Sequence, residues 1–205
     1  MLVTIASIIL SYVLGSIPTG LWLGQWLRGI DIREHGSKNI GATNTLRVLG
    51  KGLGAAALAG DAAKGIIPVL LVARLSDWPY APVACGIAAI VGHLASVFLK
   101  FKGGKGVATS MGVFLALAPI PILIATAIFA TVVGATRMVS AGSISAAIAL
   151  TITVFALPPH WATAPTHLFP DVWTLRVVVA ILAALIVIKH RSNIQRILTG
   201  TENRF

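Results

Sequence analysis

Charge is scarce in this chain of 205 residues: Asp, Glu, Lys and Arg together make up only 11% of it. Water-soluble domains carry about a quarter. A normal wet surface is therefore excluded, and the bilayer is the natural solvent. Acidic groups are scarcer still: 6 Asp and Glu stand against 16 Lys and Arg, a formal net charge of +10. That excess calls for an anionic partner, either lipid headgroups or an anionic substrate. Nucleic acid is a poor fit for a chain mostly immersed in lipid. Cys85 is the only cysteine, so no intrachain disulfide can form. It reads as a small core residue in an apolar stretch. Residues 1–27 hold no charge. A secretory signal would open on a positive segment and close on a small-residue cleavage site, so a retained first span is expected. Internal repeats and low-complexity tracts are missing too.

What is present is mostly apolar, at 57%. A spanning helix needs about 20 such residues. Residues 2–24, 52–74, 79–99 and 172–188 qualify, and 106–136 and 138–170 contain no Asp, Glu, Lys or Arg. Gly52, Gly54, Gly60 and Gly65 fit close helix packing. Arg176 lies near one end of the last span, where it can snorkel.

The loops fall into two kinds. Arg28, Arg33, Lys38, Arg47 and Lys51 lie in 25–51, Lys100, Lys102 and Lys105 in 100–108, and Lys189, Arg191, Arg196 and Arg204 in 189–205. Segments 75–81 and 158–173 have no Lys or Arg but carry Trp78, Tyr80, Trp161 and Trp173, as an aromatic belt does. Basic loops stay cytoplasmic. To keep the tail inside, the chain must cross an odd number of times between 100–108 and 158–173. A break at Pro119-Ile120-Pro121 achieves this, with helices over 109–118 and 122–136 and Arg137 inside. The expected fold is thus an all-α, polytopic membrane helix bundle. It has seven transmembrane helices, the N-terminus outside and the C-terminus inside, in a single domain over 1–205. Five crossings plus a re-entrant element would keep the same sides.

This topology gathers four polar blocks on the inner face. The first is Ser37-Lys38-Asn39-Ile40-Gly41-Ala42-Thr43-Asn44 with Arg47. Its hydroxyls and amides can bond an oxyanion, and Arg47 can clamp phosphate bidentately. Turn and helix-cap roles explain the same residue types. The second is Lys102-Gly103-Gly104-Lys105-Gly106. Glycines let backbone approach a ligand and aim N–H groups at it, lysine adds a point charge, and the helix that follows offers its positive end. A basic loop touching lipid headgroups is the competing reading. It is not a P-loop, because the GKS or GKT ending is missing. The third is His190-Arg191-Ser192-Asn193, and the fourth is Arg137-Met138-Val139-Ser140 with Ser143. Asp61 and Lys64 share one helix face and read as a buried ion pair that supports the site. His93 reads as a packed histidine. His160 and His167 fall on the outer side.

Taken in order, these motifs resemble a known family. With Ser16-Ile17-Pro18-Thr19-Gly20, Asp61-Ala62-Ala63-Lys64-Gly65 and Gly200-Thr201-Glu202-Asn203-Arg204, they look like the acyl-phosphate:glycerol-3-phosphate acyltransferase family, the PlsY type. The likeness runs the length of the chain. It implies transfer of a fatty acyl group from acyl phosphate to the 1-hydroxyl of sn-glycerol 3-phosphate, giving 1-acylglycerol 3-phosphate and phosphate. It also implies Ser37, Arg47, Lys105, His190 and Asn193 as catalytic residues. Asn39, Gly41, Thr43, Asn44, Gly103, Gly104, Gly106, Ser140, Ser143 and Glu202 form the substrate-binding set, with Glu202 mainly in support.

The other glycerophosphate acyltransferases use an acid–base pair in which His is followed five positions later by Asp. No such pair occurs here. No cofactor or metal is expected. The expected partners are acyl phosphate, glycerol 3-phosphate and membrane lipids, for a monomer in the bacterial inner membrane with its site facing the cytoplasm. A membrane anion transporter is the alternative. Against it, Asp61 and Lys64 are the only charged groups well inside a span, whereas a transporter offers binding groups near the midplane.

Overall fold

The computed structural model describes residues 1–163 and 171–204; 164–170, with His167, and Phe205 lie outside the described residues. Among the described residues there is no strand, and the chain forms two compact units, Met1–Ala116 and Leu117–Phe205. Among the described residues, five helical segments are long and apolar enough to cross a membrane, and a bent helix pair at the start adds a sixth if it crosses as one span. This is a polytopic integral membrane protein.

In the first unit, α1 (Leu2–Ser16) and α2 (Thr19–Arg28) form that bent pair, with an angle of 48° between them. The cause is local. Pro18 has no N–H to donate, and it drives Ile17 out of the helical region, to ψ 115°. Carbonyls released inside a bilayer must find partners. The Ser96 hydroxyl donates to the Ser16 carbonyl at 2.5 Å, and the Lys64 ammonium donates to the Ile17 carbonyl at 2.7 Å.

Next come α3 (Ala42–Leu49), α4 (Lys51–Leu70) with a 3-10 turn (Val72–Leu75), α5 (Ala81–Leu94) and, after a second 3-10 turn (Val97–Leu99), α6 (Val107–Leu117). Arg74 lies on the first turn, so one cation borders the loop over 75–81 that the sequence reading left without any. Glycines set the close approaches. A Cβ at Gly15 would stand 2.1 Å from the Ala89 carbonyl oxygen, and one at Gly112 would stand 2.0 Å from that of Ala62. Helices that touch backbone to backbone in lipid need small residues at the crossing.

The second unit holds α7 (Pro119–Thr136), α8 (Val139–Ala156), the short α9 (Pro159–Ala162), α10 (Val172–Lys189) and α11 (Arg191–Leu198). The break before α7 falls at Ala118, slightly ahead of the expected Pro-Ile-Pro. Pro119 drives Ala118 out of the helical region, to φ −146° and ψ 66°, and so separates α7 from its neighbour, while Pro119 and Pro121 themselves sit in the first turn of α7, where proline is tolerated. Arg176, near the start of α10, finds partners on α8. Its guanidinium donates to the Val154 and Phe155 carbonyls at the end of α8 and lies 4.9 Å from the Trp173 ring centroid.

Candidate active site

The loop over 29–41 is shaped by one buried side chain. Asn44, on the first turn of α3, is 1% exposed. Its Oδ1 accepts the Ser37 N–H at 2.8 Å, and its Nδ2 donates to the Ile32 carbonyl at 2.8 Å and the His35 carbonyl at 3.1 Å. Both amide hydrogens are thereby in use, so Asn44 fixes the loop rather than greeting a ligand. Half-buried Asn39 closes a local turn, its Oδ1 accepting the Gly41 N–H two residues on. Below them, Leu21, Ile32 and Ile40 form a small core joined by Val48, Leu49 and Leu99. Ser37 and Arg47 remain exposed. Gly36 has φ +58°, and the Arg47 Cδ lies 3.3 Å from where its Cβ would be, so the Arg47 stem runs beside the residue preceding Ser37. Thr43 is half-buried.

Leu99 places the second loop at this same end of the unit. After the turn, Lys100 and Phe101 take positive φ of 50° and 63°, rare for bulky side chains, and the chain doubles back onto α5. The Gly103 N–H donates to the Leu94 carbonyl at 3.2 Å, and the Gly104 N–H to the His93 carbonyl at 3.0 Å. Both cap α5, whose last carbonyls lack helical partners. From the sequence these glycines are expected to aim N–H groups at an anion; in the structure both turn toward protein. Their lack of side chains answers to packing. A Cβ at Gly103 would lie 2.0 Å from the His93 carbonyl oxygen, and one at Gly104 would lie 2.3 Å from His93 Nε2. Gly106, at φ +80°, leads into α6, and Lys105 is half-buried between. In α6 the Thr109 and Ser110 hydroxyls are buried with no hydrogen-bond partner among the described residues. Sequence reasoning passed over both, because a hydroxyl in an apolar run reads as ordinary helix.

Asp61 and Lys64 do pair, at 2.8 Å, with side chains 3% and 6% exposed. Asp61 Oδ1 also lies 4.0 Å from His93 Nδ1.

At one end of the second unit, Glu202 draws the tail onto the helices. One carboxylate oxygen accepts from the Ser140 hydroxyl at 2.8 Å and from Asn193 Nδ2 at 2.7 Å; the other accepts from Arg196 Nε at 2.8 Å. Burial alone would raise the Glu202 pKa, but the bonds from Asn193, Ser140 and Arg196 outweigh it and hold the carboxyl below its ordinary range. The Ser143 hydroxyl donates to the Val139 carbonyl. His190 is buried where α10 ends and α11 begins. Its Nδ1 donates to the Ile186 carbonyl at 2.8 Å, which puts the lone pair of the neutral ring on Nε2.

Fold and polar groups define a class: a polytopic membrane protein whose units present hydroxyls, amides and cations suited to phosphate. The sequence profile of the glycerol-3-phosphate acyltransferase family matches residues 5–200, and the chain belongs to that family. It is 48% identical to a glycerol-3-phosphate acyltransferase of Trichlorobacter lovleyi, over 95% of this chain and 94% of that one. It is 45% identical to the namesake from Geobacter sulfurreducens, over the same shares. Two crystal structures of PlsY, an integral membrane glycerol 3-phosphate acyltransferase, superpose with TM-scores of 0.85 for its glycerol 3-phosphate form and 0.83 for its lysophosphatidic acid form. Each is 35% identical and covers 98% of this chain and 95% of its own.

Proposed function

We propose that this protein transfers a fatty acyl group from acyl phosphate to the 1-hydroxyl of glycerol 3-phosphate. The supporting observation is the whole-length likeness to PlsY, at 35% identity over 98% of the chain. Both units belong to one acyltransferase domain, consistent with a family match that runs through both. In the reaction, the hydroxyl oxygen attacks the acyl carbonyl carbon and the carbon–oxygen bond to phosphate breaks. The hydroxyl proton leaves with the departing phosphate.

An acyl phosphate is already activated, so the protein's task is to hold two anions together, neutralise their charge and orient the hydroxyl. Arg47 and Lys105 supply charge, and Ser37 and Asn193 supply hydrogen bonds. His190 orients or donates. Thr43, Gly41, Gly106 and Ser143 border the substrates, while Asn39, Asn44, Ser140 and Glu202 hold the loops that do. We place the chemistry on the cytoplasmic face of the inner membrane. The bent pair, α4, α5, α6, α7, α8 and α10 make seven crossings, N-terminus outside. At 11 residues α6 is about 16 Å long, so the bilayer thins there or α6 is set deep among its neighbours.

The test is an assay of purified protein with acyl phosphate against acyl-CoA as donor. Ester formation with stoichiometric phosphate release from acyl phosphate alone is expected; equal use of acyl-CoA overturns the donor assignment. Phosphate flux across proteoliposomes without ester formation would establish the transporter instead.

A further inference from the structure

We propose that His93 is a positioning residue for the glycerol 3-phosphate loop, and that the intramembrane pair Asp61–Lys64 exists to hold it there. The proposal rests on reading 102–106 as that loop. The groups lie one after another, with the Asp61–His93 step a proximity longer than a hydrogen bond. Lys64 donates to the Ile17 carbonyl at the α1–α2 bend and pairs with Asp61. The Asp61 carboxylate faces His93 Nδ1 at 4.0 Å. The opposite ring nitrogen, Nε2, lies directly beneath Gly104, 2.3 Å from where a Cβ would stand. The His93 carbonyl takes the Gly104 N–H, and the adjoining Leu94 carbonyl takes the Gly103 N–H. One residue thus meets the loop with both its backbone and its ring.

Physical cost supports a purpose. His93 is 4% exposed and Asp61 2%, and ionisable groups inside a bilayer are expensive enough that they mark function. None of these three side chains is assigned to the transfer reaction. Their common product is a fixed floor for Gly103 and Gly104, which sets the height of the neighbouring Lys105. A displacement of about 1 Å in a substrate-positioning group can cost about 100-fold in rate. Gly104 is then glycine because of the imidazole below it, not because a ligand passes above it.

That distinction gives the test. The Michaelis constants for both substrates are measured in wild type, His93→Ala, Gly104→Ala, the double variant and Lys105→Ala. His93→Ala and Gly104→Ala should each raise KM for glycerol 3-phosphate about 10-fold to 100-fold with a much smaller change for acyl phosphate. The double variant should be no worse than His93→Ala alone, because the clash partner is gone. Independent, multiplying effects would show that Gly104 serves the ligand directly and would overturn the proposal. An unchanged KM in His93→Ala overturns it as well. If Lys105→Ala raises KM in that case, the loop assignment survives; if it does not, that assignment fails too. Should His93→Ala not yield folded protein, His93→Gln replaces it in both backgrounds. Its flexible amide yields to a Cβ at position 104, so the same relief is expected and its absence is equally decisive.

Discussion

In the proposed reaction, single side chains divide between those assigned to the substrates and those that hold the first kind in place. Arg47 and Lys105 belong to the first kind. Each truncation to Ala should abolish nearly all turnover, with about 2–3 kcal/mol lost per charge-assisted bond, read from kcat/KM. His190→Gln keeps a neutral polar group of similar reach and should retain measurable turnover. A general base contributes about 100-fold to 10,000-fold. A loss of that size, with substrate affinity intact and the wild-type pH dependence abolished, would move the base from the donor phosphate to His190. Glu202 belongs to the second kind. Its folded pKa is depressed, so it stabilises the protein above the ordinary carboxylate range, and that stability is lost as pH falls through the lowered value. Glu202→Gln should lower stability at neutral pH by roughly 1.5–3 kcal/mol and remove this acid-side loss. Thermal unfolding in detergent across pH 3–7, on the order of that window, reads both effects.

At the scale of elements, glycine contacts decide which helices meet. A Cβ at Gly65 would stand 2.2 Å from the Thr109 carbonyl oxygen, as one at Gly112 would from the opposite direction against Ala62. The α4–α6 crossing therefore has a backbone on each side and nothing flexible to yield. Gly112→Ala should destabilise by about 1–3 kcal/mol, the usual penalty of overpacking, measured as a lower unfolding temperature. Gly52, where a Cβ meets nothing within 4 Å, is the control. Substituting Ala there should leave the transition in place, and equal shifts at both positions would deny that packing is the cause. The α1–α2 bend works by another route: proline opens the helix, and Lys64 and Ser96 close the hydrogen-bond account.

For the molecule as a whole, sidedness is the testable property. Cysteine probes placed in 158–163 should react with an impermeant reagent in intact cells, and probes in the tail after Lys189 should not. Labelling of the tail from outside would remove both the seven-crossing arrangement and the inner-face chemistry. Arg74 is the residue to watch. It sits on the 3-10 turn beyond α4, and a single cation there is compatible with an outer loop because the rule weighs the sum of lysines and arginines rather than forbidding any one.

The sequence by itself determined the solvent, the helical class and the approximate extent of the long apolar helices, but not the break inside the first span at Ile17-Pro18 or the short helices α3 and α11. Scarce charge and long apolar runs leave backbone polar groups no partner but each other, and in lipid that means helix. Ordered motifs also placed the chain beside its family. The meaning of individual polar residues was less legible. Asn44 and Thr43 are interchangeable on the page, yet only Asn44 turns inward to carry the loop. Gly103 and Gly104 read as an anion cradle, and tertiary structure made them the cap of α5. His93 read as a packing residue, and the fold set it under the loop. The physical reason is common to all three. A sequence motif fixes which hydrogen-bonding groups are available, but burial decides which of them are consumed by other parts of the chain. Here the consuming partners, the Ile32 and His35 carbonyls for Asn44 and the α5 carbonyls for the glycines, are backbone atoms, which no side-chain pattern reveals.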